Sequence, residues 1–365
     1  MIKDFGFIIP QNCQFGMGAL KKLPDFLKAA GSDNVMLISD RGLEAIGVVD
    51  KVREIIKGAN LKYSEYLDVL PNPTTTIVDE CAAQYKAAGC TAIIALGGGS
   101  PMDCAKAMCW CGEEHPPLWC IPTTAGTGSE VTSFAVLTDT DRGVKLPLVD
   151  DGLLPEAAIL DPGLLDGVPP HVTADTGMDV LTHAAEAAVA KGASPFSDAL
   201  AERAFSTAFQ SLPDAAAGDR GAKARMLQAS CMAGMAFNAA GLGVCHAMAH
   251  ALGGRFHLPH GRLNALLLPQ VIGFNAQDLR AAEGYGRLAK ACGLAGNPRA
   301  LAAALTRLRT RLKIAPRLPV SAGELREALP GLTQAALADG CLPANPRAVQ
   351  AGDIQALLLE IGGGA

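Results

Sequence analysis

Residues 91–106 read TAIIALGGGSPMDCAK. An apolar run of strand type ends in three glycines, and Ser-Pro then opens a helix-forming segment. Glycines let backbone N–H groups approach an anion, Pro101 suits the first turn of a helix, and the helix N-terminus adds partial positive charge. The stretch therefore predicts a strand, a phosphate-cradling turn at Gly97, Gly98, Gly99 and Ser100, and a helix. The glycines also read as a plain tight turn, and Asp103 as a partner of the helix dipole rather than of a ligand. The pattern is not G-x-G-x-x-G, so the usual dinucleotide fingerprint is missing.

Working outward, the same rhythm repeats on both sides. VMLIS (35–39) predicts a buried strand ending at Asp40, and VVDKVREIIKGA (48–59) a helix. LKYSEYLDVL (61–70) is strand-like, VDECAAQYKAAG (78–89) helical, and LWCIPTT (118–124) a short strand. Alternating strands and helices predict a mainly parallel α/β sheet whose ligands sit at the carboxyl ends of its strands. Beyond about residue 170 the β-branched runs fade and Ala-rich helical patterns dominate, as in SDALAERAFSTAFQSL (197–212). DPGLLDGVPPHV (161–172) is the natural break, so residues 1–165 are expected to form a nucleotide-binding α/β domain and 166–365 an all-α domain.

Charged residues make up 18% of the 365, and the net charge is −5. No basic run suits a row of phosphates, which argues against a nucleic-acid partner. No apolar stretch reaches the roughly 18 residues of a membrane span, and the N-terminus does not read as a signal peptide. Eleven scattered cysteines, many inside apolar runs, read as reduced thiols of a cytoplasmic protein.

Two further stretches carry chemistry. PTTAGTGSEVTSF (122–134) sets Thr and Ser hydroxyls at a second strand end, suited to phosphate, ribose or carboxamide, or to a solvated loop. Asp40 at a third strand end would accept hydrogen bonds from ribose hydroxyls and repel a 2′-phosphate, or would simply cap the next helix. The chain has seven histidines, and four of them fall in HAMAHALGGRFHLPHG (246–261). His246 and His250 stand four apart, as do Asp179 and His183 in GMDVLTHAAEA (177–187), so each pair shares a helix face. His260 sits in a Leu-Pro-His-Gly turn. An oxygen and nitrogen donor set suits Fe(II) or Zn(II). Spacing alone leaves open whether His246 or His250 is the ligand.

These motifs, in order, resemble the iron-dependent (group III) alcohol dehydrogenase family along essentially the whole chain. FGMGAL (15–20), PNPT (71–74), GGGSPMDCAK, PTTAGTGSE, AILDPGLL (158–165), GMDVLTHAAEA, GVCHAMAHALGG (243–254), LPHGRLNALLLPQV (258–271) and NPRAV (345–349) carry the likeness. The resemblance implies an α/β nucleotide domain followed by a helical metal domain, in a dehydroquinate-synthase-like architecture. It implies Asp179, His183, His246 and His260 as ligands to Fe2+, with Zn2+ the alternative. His250 becomes a proton relay near the nicotinamide, and His257 receives no role. It implies NAD(H) held by Asp40, Asn72, the 97–100 turn, Asp103, Thr123, Thr124, Thr127 and Lys145, with Phe134 and Phe237 bordering the substrate. The expected reaction is hydride transfer between NAD and a small primary alcohol or diol, in a homodimer or higher homo-oligomer. A zinc polyol dehydrogenase of glycerol type is the alternative. A dehydroquinate-synthase-like lyase is less favoured, because 171–260 holds few Lys and Arg residues, and a non-catalytic NAD-binding sensor is a further reading.

Overall fold

The computed structural model describes residues 5–112, 115–140 and 144–362. They form two compact units. One is Ile8–Val168; the other takes the chain from Pro169 onward together with the residues up to Phe7.

In the first unit the strands are β1 (Asn12–Phe15), β2 (Asn34–Ile38), β3 (Lys62–Tyr66), β4 (Ala92–Gly97), β5 (Leu118–Pro122), β6 (Phe134–Asp139), β7 (Val144–Val149) and β8 (Ala157–Leu160). Its helices are α1 (Leu23–Ala29), α2 (Arg41–Ala45), α3 (Val48–Gly58), α4 (Thr75–Ala88) and α5 (Gly99–Cys111). Six strands make a parallel sheet in the order β1-β8-β5-β4-β2-β3. β4 is buried along its whole length, which is why it reads as a continuous apolar run rather than an alternating one. From β2 the chain first adds β3 on one side, then returns to place β4 on the other. The direction of winding thus reverses between β2 and β4, the position where such sheets open a crevice at their carboxyl ends. Asp40 and the 97–99 glycines follow those two strands.

The expected strands β2 to β5 are present. The sequence reading did not foresee β1, β8 or the antiparallel β6–β7 hairpin. β1 is a short, largely exposed edge and β8 is four residues long, so neither offers a period to read.

A buried lysine ties this unit together. Lys106 on α5 is fully enclosed, and its Nζ donates to the carbonyls of Ser129 (2.5 Å), Thr132 (2.7 Å) and Phe134 (2.9 Å) and to Thr132 Oγ1 (3.2 Å). The ammonium thereby pins the 129–134 segment to the helix that begins at the glycine turn.

The second unit is helical: α6 (Pro170–Ala187), α7 (Pro195–Ala216), α8 (Arg220–Ala240), α9 (Val244–Phe256), α10 (His260–Asn275), α11 (Leu279–Ala291), α12 (Pro298–Arg311), α13 (Ala322–Ala338) and α14 (Ala351–Gly362). Local start signals are explicit. Ser194 and Ser321 form capping boxes, and Asp219, Asp278 and Asn297 accept from backbone N–H groups of α8, α11 and α12. Helix α6 is buried along nearly all of Thr173–Ala187, with α7, α8 and α10 packed against it. Phe5 and Phe7 lay their rings against Phe196 of this unit, at 5.6 and 5.7 Å between centroids. No single helix among the described residues is long and apolar enough to cross a membrane.

Replacing Lys106 with Met keeps the bulk of the stem but strands three buried carbonyls. Lys106→Met is expected to destabilise the protein by about 2–4 kcal/mol in urea unfolding and to speed hydrogen exchange across 129–134. An unchanged midpoint would remove the lysine from this role.

Candidate metal centre and cofactor loops

Helix α6 presents Asp179, His183 and Glu186 at positions i, i+4 and i+7, one face of a helix. Helix α9 brings His246 in its first turn, and α10 begins at His260. Two features seat α10 there. Gly261 runs so close to α6 that a Cβ would lie 2.0 Å from the Asp175 carbonyl oxygen, so only glycine fits. Arg262 next to it clamps Asp175 with bonds of 3.2 and 2.9 Å.

The result is a convergence of donor atoms. Asp179, His246 and His260 offer ligand atoms that all lie within 4.8 Å of one another. Asp179 Oδ1 is 3.5 Å from His260 Nε2, 3.6 Å from His246 Nε2 and 4.0 Å from His183 Nε2. Bonds of about 2.1 Å at tetrahedral angles put donors about 3.4 Å apart, so His260 Nε2 and His246 Nε2 each stand at coordination spacing from Asp179 Oδ1. His183 lies just outside that tight group and stacks on His246, with 4.6 Å between centroids. The Asn264 amide nitrogen faces the same spot, 2.7 Å from Asp179 Oδ1, 3.1 Å from His260 Nε2 and 3.3 Å from His246 Nε2. Asp179, His183 and His246 are nearly inaccessible, whereas the side chains of His250 and His260 are 27% and 37% exposed. The cluster therefore opens on the side of those two rings.

The electrostatics call for a cation. Burial opposes a charge on Asp179, yet the surrounding imidazoles hold its carboxyl well below the usual carboxylate range. Burial likewise opposes a charge on His246, but hydrogen bonds to Asp179 and Glu186 outweigh it and push the ring up to about 9. His260 goes the other way: desolvation and the neighbouring imidazoles outweigh the attraction of Asp179 and drive it toward the neutral form. Two buried carboxylates thus recruit a proton onto His246, and a divalent ion would take its place. A carboxylate with neutral imidazoles is a borderline-hard donor set that fits Fe(II) or Zn(II).

His250 sits one turn beyond His246 but points elsewhere. Its Nδ1 is 2.9 Å from Asp339 Oδ2, and its ring stacks on His260 at 5.1 Å. Burial opposes charge on Asp339, but the hydrogen bonds with His250 and the Cys341 N–H bring its carboxyl down to about 2. His250, Asp339 and Cys341 form a second group of possible ligand atoms. Burial pushes the Cys341 thiol far up, which disfavours the thiolate a metal needs. His257, given no role above, adopts φ 54° as the left-handed cap that ends α9. Phe237 stacks on His183 at 4.5 Å and walls the centre.

In the first unit the two polar strand ends meet. A Cβ on Gly98 would lie 3.3 Å from Thr124 Oγ1, and one on Gly99 3.1 Å from Thr127 Cγ2. Thr123 N–H donates to the Gly97 carbonyl at 2.9 Å. Asn72, at φ 58°, donates its N–H to Ser100 Oγ at 3.3 Å. Asp40 accepts from Leu43 N–H at 2.9 Å and so caps α2. Asp103 accepts from Ser129 Oγ (3.0 Å) and Val136 N–H (3.3 Å), which makes it a brace of the threonine loop beside Lys106. Phe134 opens β6 half-buried. Lys145 pairs with Thr138 through its backbone, and its side chain lies outside the described residues.

Three residues of the metal centre escaped the sequence reading. Glu186 shares the α6 face with Asp179 and His183, and Asn264 follows His260 by four, so helical periodicity could have found both. Asp339 arrives from a distant helix end and gives no local signal.

Comparison with known proteins places the chain in a family. Residues 10–162 match the family described as iron-containing alcohol dehydrogenase, and residues 173–362 match its C-terminal part. The chain is 46% identical over 362 residues to 1-propanol dehydrogenase PduQ of Citrobacter freundii, covering 95% of this chain and 96% of the relative. It is 36% identical over 372 residues to lactaldehyde reductase of Escherichia coli K12, covering 95% and 97%. A crystal structure of 1,3-propanediol oxidoreductase superposes with a TM-score of 0.92 at 35% identity, covering 98% of this chain and all of the other. The chain belongs to the iron-containing alcohol dehydrogenase family.

Because His246 holds a proton below about pH 9, cation uptake must expel it. Apparent zinc affinity is expected to rise by up to about tenfold per unit between about pH 6 and 8, with proton release in calorimetry. A pH-independent affinity would mean that no such proton is displaced.

Proposed function

We propose that this protein interconverts a small primary alcohol, or a diol, and its aldehyde with NAD(H), at one divalent ion held by Asp179, His183, His246 and His260. The observation that carries the proposal is the approach of Asp179 Oδ1, His246 Nε2 and His260 Nε2 to within 4.8 Å of one another. Iron follows from the family, with zinc as the alternative. When bound, the ion supplies a Lewis acid that polarises the alcohol or carbonyl oxygen.

The chain's own residues do the rest. Asp339 holds the His250 proton on Nδ1, leaving Nε2 to accept and return the proton of the alcohol on the open side of the cluster. Phe237, 5% exposed, keeps water from the His183 side and favours an aliphatic substrate. Relatives named for 1-propanol, lactaldehyde and 1,3-propanediol support a short carbon chain.

Gly97, Gly98, Gly99 and Ser100, with the N-terminal turn of α5, suit a pyrophosphate. Thr123, Thr124 and Thr127, Asn72 and Lys145 complete the assigned cofactor contacts, with Asp103 acting through Ser129. Two features favour NAD over NADP. Asp40 stands at the end of β2, and the guanidinium of Arg41 beside it is taken up by Asp68 and Glu44 at 2.8–3.1 Å rather than open to a 2′-phosphate. A homo-oligomeric, cytoplasmic enzyme without nucleic-acid or membrane partners belongs to the same proposal. The eleven unbridged cysteines and net charge of −5 suit it.

The test is anaerobic loading with Fe(II) or Zn(II), then assay of C2–C6 alcohols, diols and aldehydes with NAD(H) and NADP(H). Turnover with short primary alcohols and NAD is expected. His260→Ala should lose both metal and turnover, and His250→Ala should keep the metal and slow about 10²-fold. Metal retained by His260→Ala, or lost from His250→Ala, would reverse the assignment.

A further inference from the structure

We infer that Glu186 is a positioning residue of the metal centre: its carboxylate fixes the His246 ring in the tautomer that turns the Nε2 lone pair toward the ion. The inference rests on the metal-centre reading above and extends it to a residue outside the ligand set.

His246 Nδ1 lies 2.5 Å from Glu186 Oε2, and Glu186 Oε1 accepts the Cys245 N–H at 2.8 Å. Both side chains are 1% exposed, so no solvent competes. The neighbouring Val244 N–H is taken by Asn345 Oδ1 at 3.1 Å. The first N–H groups of a helix have no partner inside it. Here two side chains from distant segments close them, and the positive end of α9 faces the Glu186 carboxylate. Gly243 makes room: a Cβ there would lie 2.8 Å from Glu186 Oε1 and 2.6 Å from Asn345 Oδ1.

This arrangement determines where the ring proton sits. An ionised carboxylate only accepts, so Nδ1 must carry hydrogen, and Nε2 is left facing Asp179 at 3.6 Å. A glutamine at 186 could not reproduce it. The Cys245 N–H fixes the amide oxygen on its own side, so the NH2 group must face Nδ1 and donate. The ring proton would then move to Nε2, into the coordination position. Glu186→Gln thus conserves shape and backbone contact while reversing one proton.

The experiment is zinc affinity by chelator competition at fixed pH, on wild type and Glu186→Gln, with apo unfolding midpoints measured alongside. The variant is expected to fold like wild type and to bind zinc about 10–100-fold more weakly. Equal affinity in a folded variant overturns the inference. Should Glu186→Gln fail to fold, 15N-histidine spectra of the zinc-loaded wild type decide. A slowly exchanging Nδ1 proton on His246 supports the role, and a deprotonated or zinc-bound Nδ1 ends it. If wild type binds no zinc or iron at all, the proposed function falls rather than this inference alone.

Discussion

The second unit is organised around the buried carboxylate of Asp179. Asp179 lies on the most enclosed helix of the unit, and a carboxylate cannot stay ionised there without positive partners. The chain supplies them by starting two helices at that point, each with its positive end inward and a histidine in its first turn. Gly261 and Gly243 are the permissions for this approach, since a methyl group at either position would strike a backbone carbonyl or a carboxylate oxygen. A proton on His246 balances the charge when nothing else does. A divalent ion balances it better, because it satisfies several lone pairs together.

The first unit solves a different problem with similar means. A parallel sheet leaves its strand ends open where the winding reverses, and the glycine turn after β4 and the threonine loop after β5 face each other there. Asp103 and Lys106, both on α5, hold the threonine loop from beneath through its hydroxyl, amide and carbonyl groups. The groups that would meet a nucleotide are therefore carried on a frame braced by buried polar bonds rather than on a free loop.

Much of this was legible in the sequence. Continuous apolar runs betray β2, β4 and β5 because both of their faces are covered, and the shift to Ala-rich patterns marks the helical unit. The candidate donor pairs Asp179/His183 and His246/His250 are legible because i,i+4 spacing is a property of the helix itself, whereas the choice among them comes from the family resemblance. What escaped is what only packing decides. His246 and His250 share the same spacing, and their separate fates depend on Asp339 arriving from the end of α13. Asp103 reads in the sequence only as an acid near the start of a helix, and its bonds to Ser129 and Val136 become visible only once β6 packs on α5. The edge strand β1 and its neighbour β8 are too short to carry a period, so their pairing is settled by the sheet and not by their composition.

X-ray absorption at the zinc edge of the loaded wild-type protein tests the central claim most directly. The account predicts a first shell of nitrogen and oxygen alone at about 2.0–2.1 Å, with outer scattering from imidazole rings. A sulfur scatterer at about 2.3 Å would put the ion with His250, Asp339 and Cys341 instead, and would contradict it.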